Sequence, residues 1–294
     1  MESFQDIKRG EKGVWLGLAV YVLMSAVKLT AGIIAGSQAL IADGLNNTTD
    51  IIVSVTVLIG LRIARRPADH DHPYGHLRAE SLAALVASFI MFLIGLEVLM
   101  GGISSITAEN SDAPDMLAAW IALACSVIMY AVSRYNKNLA QKTNNQAVLA
   151  AAEDNRADAL VSLGVFTGVI GAQQGYDWLD SLCALIVGLI ILKTAWNIFR
   201  HSAHALTDGF DETELADYRQ TIALIPGVKN IKDVKARSYG SRVWIDVTIE
   251  VNPYLNVVES HRITEMIESQ MKRKHKIHNV HIHIEPIAGD EAET

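Results

Sequence analysis

The chain has 294 residues, 50% of them hydrophobic and 6% aromatic, with a formal net charge of −7. That is too apolar for an ordinary soluble domain and too mixed for a purely embedded one, so a membrane bundle joined to a soluble domain is expected. The acidic balance without a basic stripe excludes a nucleic-acid partner, and the two cysteines, Cys125 and Cys183, sit in apolar runs with no Cys-x-x-Cys spacing, which excludes a disulfide framework or thiolate metal site.

Lys8, Arg9 and Lys12 precede a long apolar run that lacks a small-residue cleavage motif, so the first helix is expected to stay in the mature protein. A bilayer core takes about 20 apolar residues as helix. Six segments fit, roughly 13–35, 39–64, 78–106, 114–134, 146–172 and 178–200. The second and fifth are diluted by polar residues, as a functional site inside a membrane requires. Arg65, Arg66 and Arg78 flank one connection, Arg134, Lys137 and Lys142 another, and Arg200 follows the sixth helix; the opposite links, at Gly36-Ser37, 108–115 and 173–177, lack Lys and Arg. This asymmetry predicts a multi-pass protein of the cell membrane with both termini cytoplasmic. Lys28 and Lys193 read as snorkelling or helix-packing residues, with Glu97 a candidate partner for either.

The polar stretches are Asn46-Asn47-Thr48-Thr49-Asp50 and Glu153-Asp154-Asn155-Arg156-Ala157-Asp158. Each places two oxygen-bearing side chains four residues apart, Asn46 with Asp50 and Asp154 with Asp158, hence on one helix face. A carboxylate at the bilayer centre costs about 2.5–3.5 kcal/mol on insertion scales, so these acids need a cation, protons or water. Interhelical hydrogen bonding is the plainer reading; but no Lys or Arg stands near enough in the pattern to neutralise Asp50, Asp154 and Asp158, which favours a bound cation. Asp43, one turn before Asn46, extends the polar face as an access-path or supporting group. Oxygen-only donors suit Mg, Ca or Mn, and manganese(II), at the weak end of the divalent affinity series, gains from the omission of His and Cys; iron(II) is the nearest rival.

Beyond Arg200 the composition becomes that of a soluble domain, beginning near Asp208. A helix over 211–225 ends at Pro226-Gly227, and a strand is expected near 229–238. Val243, Ile245, Val247, Ile249 and Val251 alternate with Trp244, Asp246, Thr248 and Glu250, a half-buried strand. A helix near 257–273 and a strand through Val280, Ile282 and Ile284 complete an αββαβ order of ferredoxin-like α+β type. The expected division is a six-helix transmembrane domain over 1–207, a cytoplasmic domain over 208–288 and a disordered acidic tail over 289–294. His275, His278 and His281 read as solvated surface, and His201 and His204 as the interfacial end of the sixth helix.

Six helices, paired motifs on the second and fifth, the run Asp69-His70-Asp71-His72-Pro73-Tyr74-Gly75-His76-Leu77-Arg78-Ala79-Glu80 and the C-terminal domain together resemble the cation diffusion facilitators over nearly the whole chain. The resemblance implies homodimers that export divalent transition metals from the cytoplasm, usually in exchange for protons, with the transport site on Asn46, Asp50, Asp154 and Asp158. In the family, zinc transporters typically place His at one position of these motifs; here Asn46 and Asp154 occupy the variable positions, a combination resembling the manganese-exporting branch. Two secondary metal positions are implied: Asp69, His72 and His76 in the loop, and His261, His283 and Glu285 in the soluble domain, where Thr248 replaces a further His. An interdomain salt bridge would join Arg78 to Asp208. The reading is therefore a transporter, not an enzyme, with no cofactor beyond the transported manganese, and with the metal ion, protons, the lipid bilayer and a second copy as partners. Iron(II) or zinc(II) export, a passive cation channel and a membrane-anchored metal sensor are the rivals; an intramembrane aspartyl protease lacks its Gly-x-Gly-Asp context here.

Overall fold

In the computed structural model, which describes residues 2–64, 66–107, 113–143, 146–239, 242–277 and 279–287, long helices precede a small α+β domain. The helices are α1 (Glu2–Ala35), α2 (Gln38–Ala64), α3 (Ala79–Thr107), α4 (Met116–Thr143), α5 (Gln146–Gln173) and α6 (Trp178–Leu206). Arg65, most of the 108–115 link, His278 and the 289–294 tail lie outside the described residues, as do the side chains of Lys8, Arg9, Lys12 and Lys142. By compactness the chain divides into residues 1–57 with 86–199, and 58–85 with 200–294.

Several helices outrun their apolar segments, α4 to Thr143 and α6 to Leu206, because hydropathy marks what lipid can touch whereas the backbone ladder continues through polar residues. Five of the six are long and apolar enough to cross a membrane. The exception is α5, which has the length, at 28 residues, but carries Glu153, Asp154, Arg156 and Asp158, the polar dilution expected of the fifth helix. Its apolar contacts are to other helices. Ser126 Oγ and Ser133 Oγ of α4 donate to the Ala159 and Ala152 carbonyls, 2.7 Å each.

Small residues let the bundle close. Ala31 and Ala35 of α1, Ala39 and Leu40 of α2, Ala118, Ala119 and Ala122 of α4 and Val165 and Val169 of α5 form one cluster. Ala42, Val98, Ala184, Val187 and Ile191 join α2, α3 and α6 in another. Where α1 crosses α2, a Cβ on Gly44 would stand 3.0 Å from the Leu29 backbone nitrogen, so only glycine allows this approach. At the α1–α2 turn, Asp180 of α6 accepts from Ser37 Oγ (2.6 Å) and from the Gln38 and Ala39 amides (2.7 and 3.2 Å), capping donors that would otherwise be orphaned. Cys125 is a buried core residue; Cys183 packs beside Gly168, half-buried.

The soluble domain runs α7 (Glu212–Ala223), β1 (Asn230–Tyr239), β2 (Arg242–Val251), α8 (Val257–His275) and β3 (Asn279–Pro286), the expected αββαβ order. Asp211 caps α7, and an Asn256–Glu259 capping box starts α8. The sheet order is β1-β2-β3, with β1–β2 antiparallel and β2–β3 parallel. Ile245, Val247, Ile249 and Val251 are buried against Ile222 of α7 and Ile263, Ile267 and Met271 of α8. The alternation therefore sends Trp244, Asp246, Thr248 and Glu250 to the other face.

Candidate metal site

Three helices of the bundle build the principal site. Tyr21 of α1, Asn46 and Asp50 of α2, and Asp154 and Asp158 of α5 line one cavity of about 340 Å³, with Met91 of α3 and Ile190, Thr194 and Ile198 of α6 on its far wall. Asn46 Nδ2 donates to Asp158 Oδ1 (3.1 Å), and the Tyr21 hydroxyl donates to Asp158 Oδ2 (2.9 Å). Asp158 is 7% exposed, whereas Asp154 is exposed at the cavity mouth. Asp50 Oδ2 is buried without a hydrogen-bond partner, an oxygen that a cation would satisfy. The three carboxylates do not form a group of ligand atoms within 4.8 Å of one another, so the cavity is an open cup in this conformation.

One turn deeper lies a network that sequence reasoning missed. Lys28 Nζ is 2.9 Å from Asp43 Oδ1, 2.7 Å from Asn47 Oδ1 and 2.8 Å from Ser162 Oγ, and Ser162 Oγ donates to Asp43 Oδ2 at 2.7 Å. Lys28, Asp43, Asn47 and Ser162 are all fully buried. Lys28 therefore does not snorkel, because its face of α1 meets α2 and α5 instead of lipid. Nor does it pair with Glu97, which is exposed, as is Lys193. The assumption that no basic group stands near the motifs is corrected too; yet Asp43 takes up the Lys28 charge, and Asp50, Asp154 and Asp158 form no ion pair among the described residues. A signal was present: Tyr21, Ser25 and Lys28 stand at i, i+4 and i+7 on one face of α1. Ser25 Oγ also meets Thr48 Oγ1 of α2, at 2.6 Å.

The loop before α3 gathers the second set. Asp69, His72 and His76 form the three-residue group whose ligand atoms lie within 4.8 Å of one another, the one such group among the described residues. Asp69 Oδ1 accepts from the His72 amide (2.7 Å) and lies 3.0 Å from its Nδ1, while Oδ2 is 3.4 Å from His76 Nε2. The His72 amide, then the imidazole, hold the Asp69 carboxyl below the usual carboxylate range. Arg78 forms an ion pair with Asp208, and its guanidinium lies 4.6 Å from the Tyr239 ring centroid.

The third set is not assembled. His283 Nε2 is 3.6 Å from Glu285 Oε1, and Glu285 Oε2 takes Lys232 Nζ at 2.7 Å, which holds its carboxyl low. Thr248 stands in register beside His283. His261, on α8, is 69% exposed and faces Glu265 at 3.7 Å. It belongs to the helical layer, whereas His283 alternates onto the other side of β3, so one chain does not bring the trio together. His281 is exposed as expected, but His275 is not: its side chain is 9% exposed, with Nε2 2.9 Å from Thr221 Oγ1 and its ring packed on Tyr218 at 4.9 Å. The reading of a solvated His275 is corrected, because α8 keeps its last turn pressed on α7.

A multi-pass helical bundle with an acid-lined cavity, followed by a ferredoxin-like domain, defines the class: an integral membrane protein built to handle cations. Residues 14–207 match the cation efflux transmembrane domain, and residues 210–287 match the cytoplasmic domain of cation efflux proteins. The chain belongs to the cation efflux family, the cation diffusion facilitators, which are transporters of divalent metal cations. It is 52% identical to the manganese efflux system protein MneS of Bacillus subtilis over 287 residues, covering 98% of this chain and 99% of the relative. It is 29% identical to the manganese efflux system protein MneP of the same organism, over 92% of this chain and 94% of that one. Among solved structures, the copper form of the MamM C-terminal domain is 26% identical, covering 26% of this chain and 76% of that one, with a TM-score of 0.25.

Proposed function

We propose that this protein exports manganese(II) from the cytoplasm in exchange for protons, through a site made by Asn46, Asp50, Asp154 and Asp158. The observation that carries the reading is the shared cavity, in which α2 and α5 are already linked by the Asn46–Asp158 hydrogen bond. The donors are oxygens alone, a set that suits a hard ion and omits the imidazole and thiolate that zinc and copper prefer. The relatives named for manganese efflux, similar over nearly the full chain, support the same ion.

Metal and protons compete for the same carboxylate oxygens, since a ligating carboxylate must be deprotonated. An ion that enters displaces protons, and protons that return displace the ion; exchange follows from one site visited in turn. Alternating access presents the cavity first to one side of the membrane and then to the other, by rocking of helices around the bound ion. The chain would lie in the cell membrane with both termini cytoplasmic, and a transmembrane domain over 1–207 would be joined to a dimer-forming domain over 208–288. The arginine and lysine distribution and the match to a cytoplasmic domain support that placement. Asp69, His72 and His76 would hold a secondary ion at the loop, where two imidazoles and a carboxylate already converge. His261, His283 and Glu285 remain available to an ion only if a second chain supplies the missing partner.

The test is manganese flux in proteoliposomes under a proton gradient. Asp50→Ala, Asp154→Ala and Asp158→Ala should each reduce flux to the protein-free background while the protein still inserts and elutes as the parent does. Parental flux in any of the three would remove that residue from the site, and parental flux in all would overturn the reading.

A further inference from the structure

We propose that the Lys28–Asp43–Asn47–Ser162 network is the gate that closes the transport site toward the end of the bundle bearing the α1–α2 and α5–α6 turns. Release of the ion through that end requires its rupture. This rests on the transport reading above, and deepens it.

Position along the helices is the first argument. From Asp43 to Asp50 on α2 and from Ser162 to Asp158 and Asp154 on α5, the chain runs from the network into the cavity and out to its mouth at Ser54, Asp154 and Ile198. The seven residues from Asp43 to Asp50 span about 10 Å of α2, so the network sits roughly two turns from Asp50. Behind it, Ala31, Ala35, Ala39 and Val165 close the bundle with apolar contacts. The site is thus open at one end and sealed at the other, and the polar part of the seal is this network.

Its chemistry is the second argument. A buried ion pair contributes little net stability over a well-packed apolar pair of the same volume, but removing one partner strands a charge. A pair that is stable when dry and hydrated when parted suits a contact that must open and close. The network also leaves a donor over: Asn47 gives it only Oδ1, and its buried Nδ2 finds no partner within it. Water entering from the turn end would supply what the closed network lacks. Lys28, Asp43 and Ser162 contact one another in a triangle across α1, α2 and α5, so parting any one of these helices breaks the network.

The experiment uses the full chain in nanodiscs, with Cys125→Ala and Cys183→Ala as background and a membrane-impermeant cationic methanethiosulfonate as probe. One reporter is Val165→Cys, in the sealed cluster; the control is Ile191→Cys, buried against α2 and α3. Lys28→Met, which strands Asp43, should label Val165→Cys at least about tenfold faster and leave Ile191→Cys unchanged. Lys28→Met/Asp43→Leu, which replaces the pair by apolar groups, should return labelling to the parental rate or below and, in proteoliposomes, slow manganese flux about tenfold, because a dry seal no longer opens. Unchanged labelling in Lys28→Met overturns the gate, as does acceleration at both positions, which marks general loosening. Parental flux in the double variant does so too. Labelling is read without transport, so a parent protein that fails to move manganese would sink the functional reading and leave the gate standing or falling on its own data.

Discussion

Asp158 is held from two directions at once, by the Tyr21 hydroxyl and the Asn46 amide, so its carboxylate is oriented before any ion arrives. With Nδ2 engaged, Asn46 presents its Oδ1 as the remaining acceptor. Exchanging that oxygen for an imidazole nitrogen should favour zinc: Asn46→His is expected to raise zinc flux relative to manganese about tenfold or more in a competition assay, and an unchanged ratio would remove ligand hardness as the basis of selectivity. That Asn46, Asp50, Asp154 and Asp158 share one cavity was legible in the sequence, because each i, i+4 pair puts its two side chains on one helix face. Tyr21 and Lys28 were not. Tyr21 carries no reading of its own and Lys28 reads as snorkelling or helix-packing; the pairing of α1 with α2 and α5 turns both inward and selects the packing role for Lys28.

Elements were read well where a period carries the signal. The alternation Val243 to Val251 became β2 with its apolar face on α7 and α8, because a period of two admits one buried face. Helix ends were read poorly, since α4 and α6 extend through polar residues that hydropathy excludes. His275 belongs to this scale. Burial holds its imidazole below the ordinary value, against the pull of Asp217, so the folded domain favours the neutral ring. An unfolded chain protonates near about 6.5, so stability from this residue is complete above that pH and falls as the pH drops through it. Asp217, Asp233 and Glu285, held low by lysines, keep their contribution until well below that window. Melting of the soluble domain should therefore shift down between pH 7.5 and about 5.5, and His275→Gln should flatten the shift; equal slopes in both proteins would assign the shift to other groups.

At the scale of the molecule, the chain combines a bundle that buries acids with a small domain that has its own core. The order αββαβ gave the domain's class from sequence, and composition shifts near Asp208, beside the point where the match to the transmembrane domain ends at 207 and the match to the cytoplasmic domain begins at 210. Dimer formation is assigned to that domain. A truncation ending at Asp208 is expected to shift the protein toward monomer in detergent by sedimentation, and a stable dimer of the truncated chain would place the contact within the bundle. The most direct measurement is anomalous diffraction at the manganese edge from the full-length protein crystallised with manganese(II). The account expects a peak within coordinating distance of Asn46, Asp50, Asp154 and Asp158, lost in Asp50→Asn/Asp158→Asn. A protein that transports manganese yet shows a peak only at Asp69, His72 and His76 would contradict it.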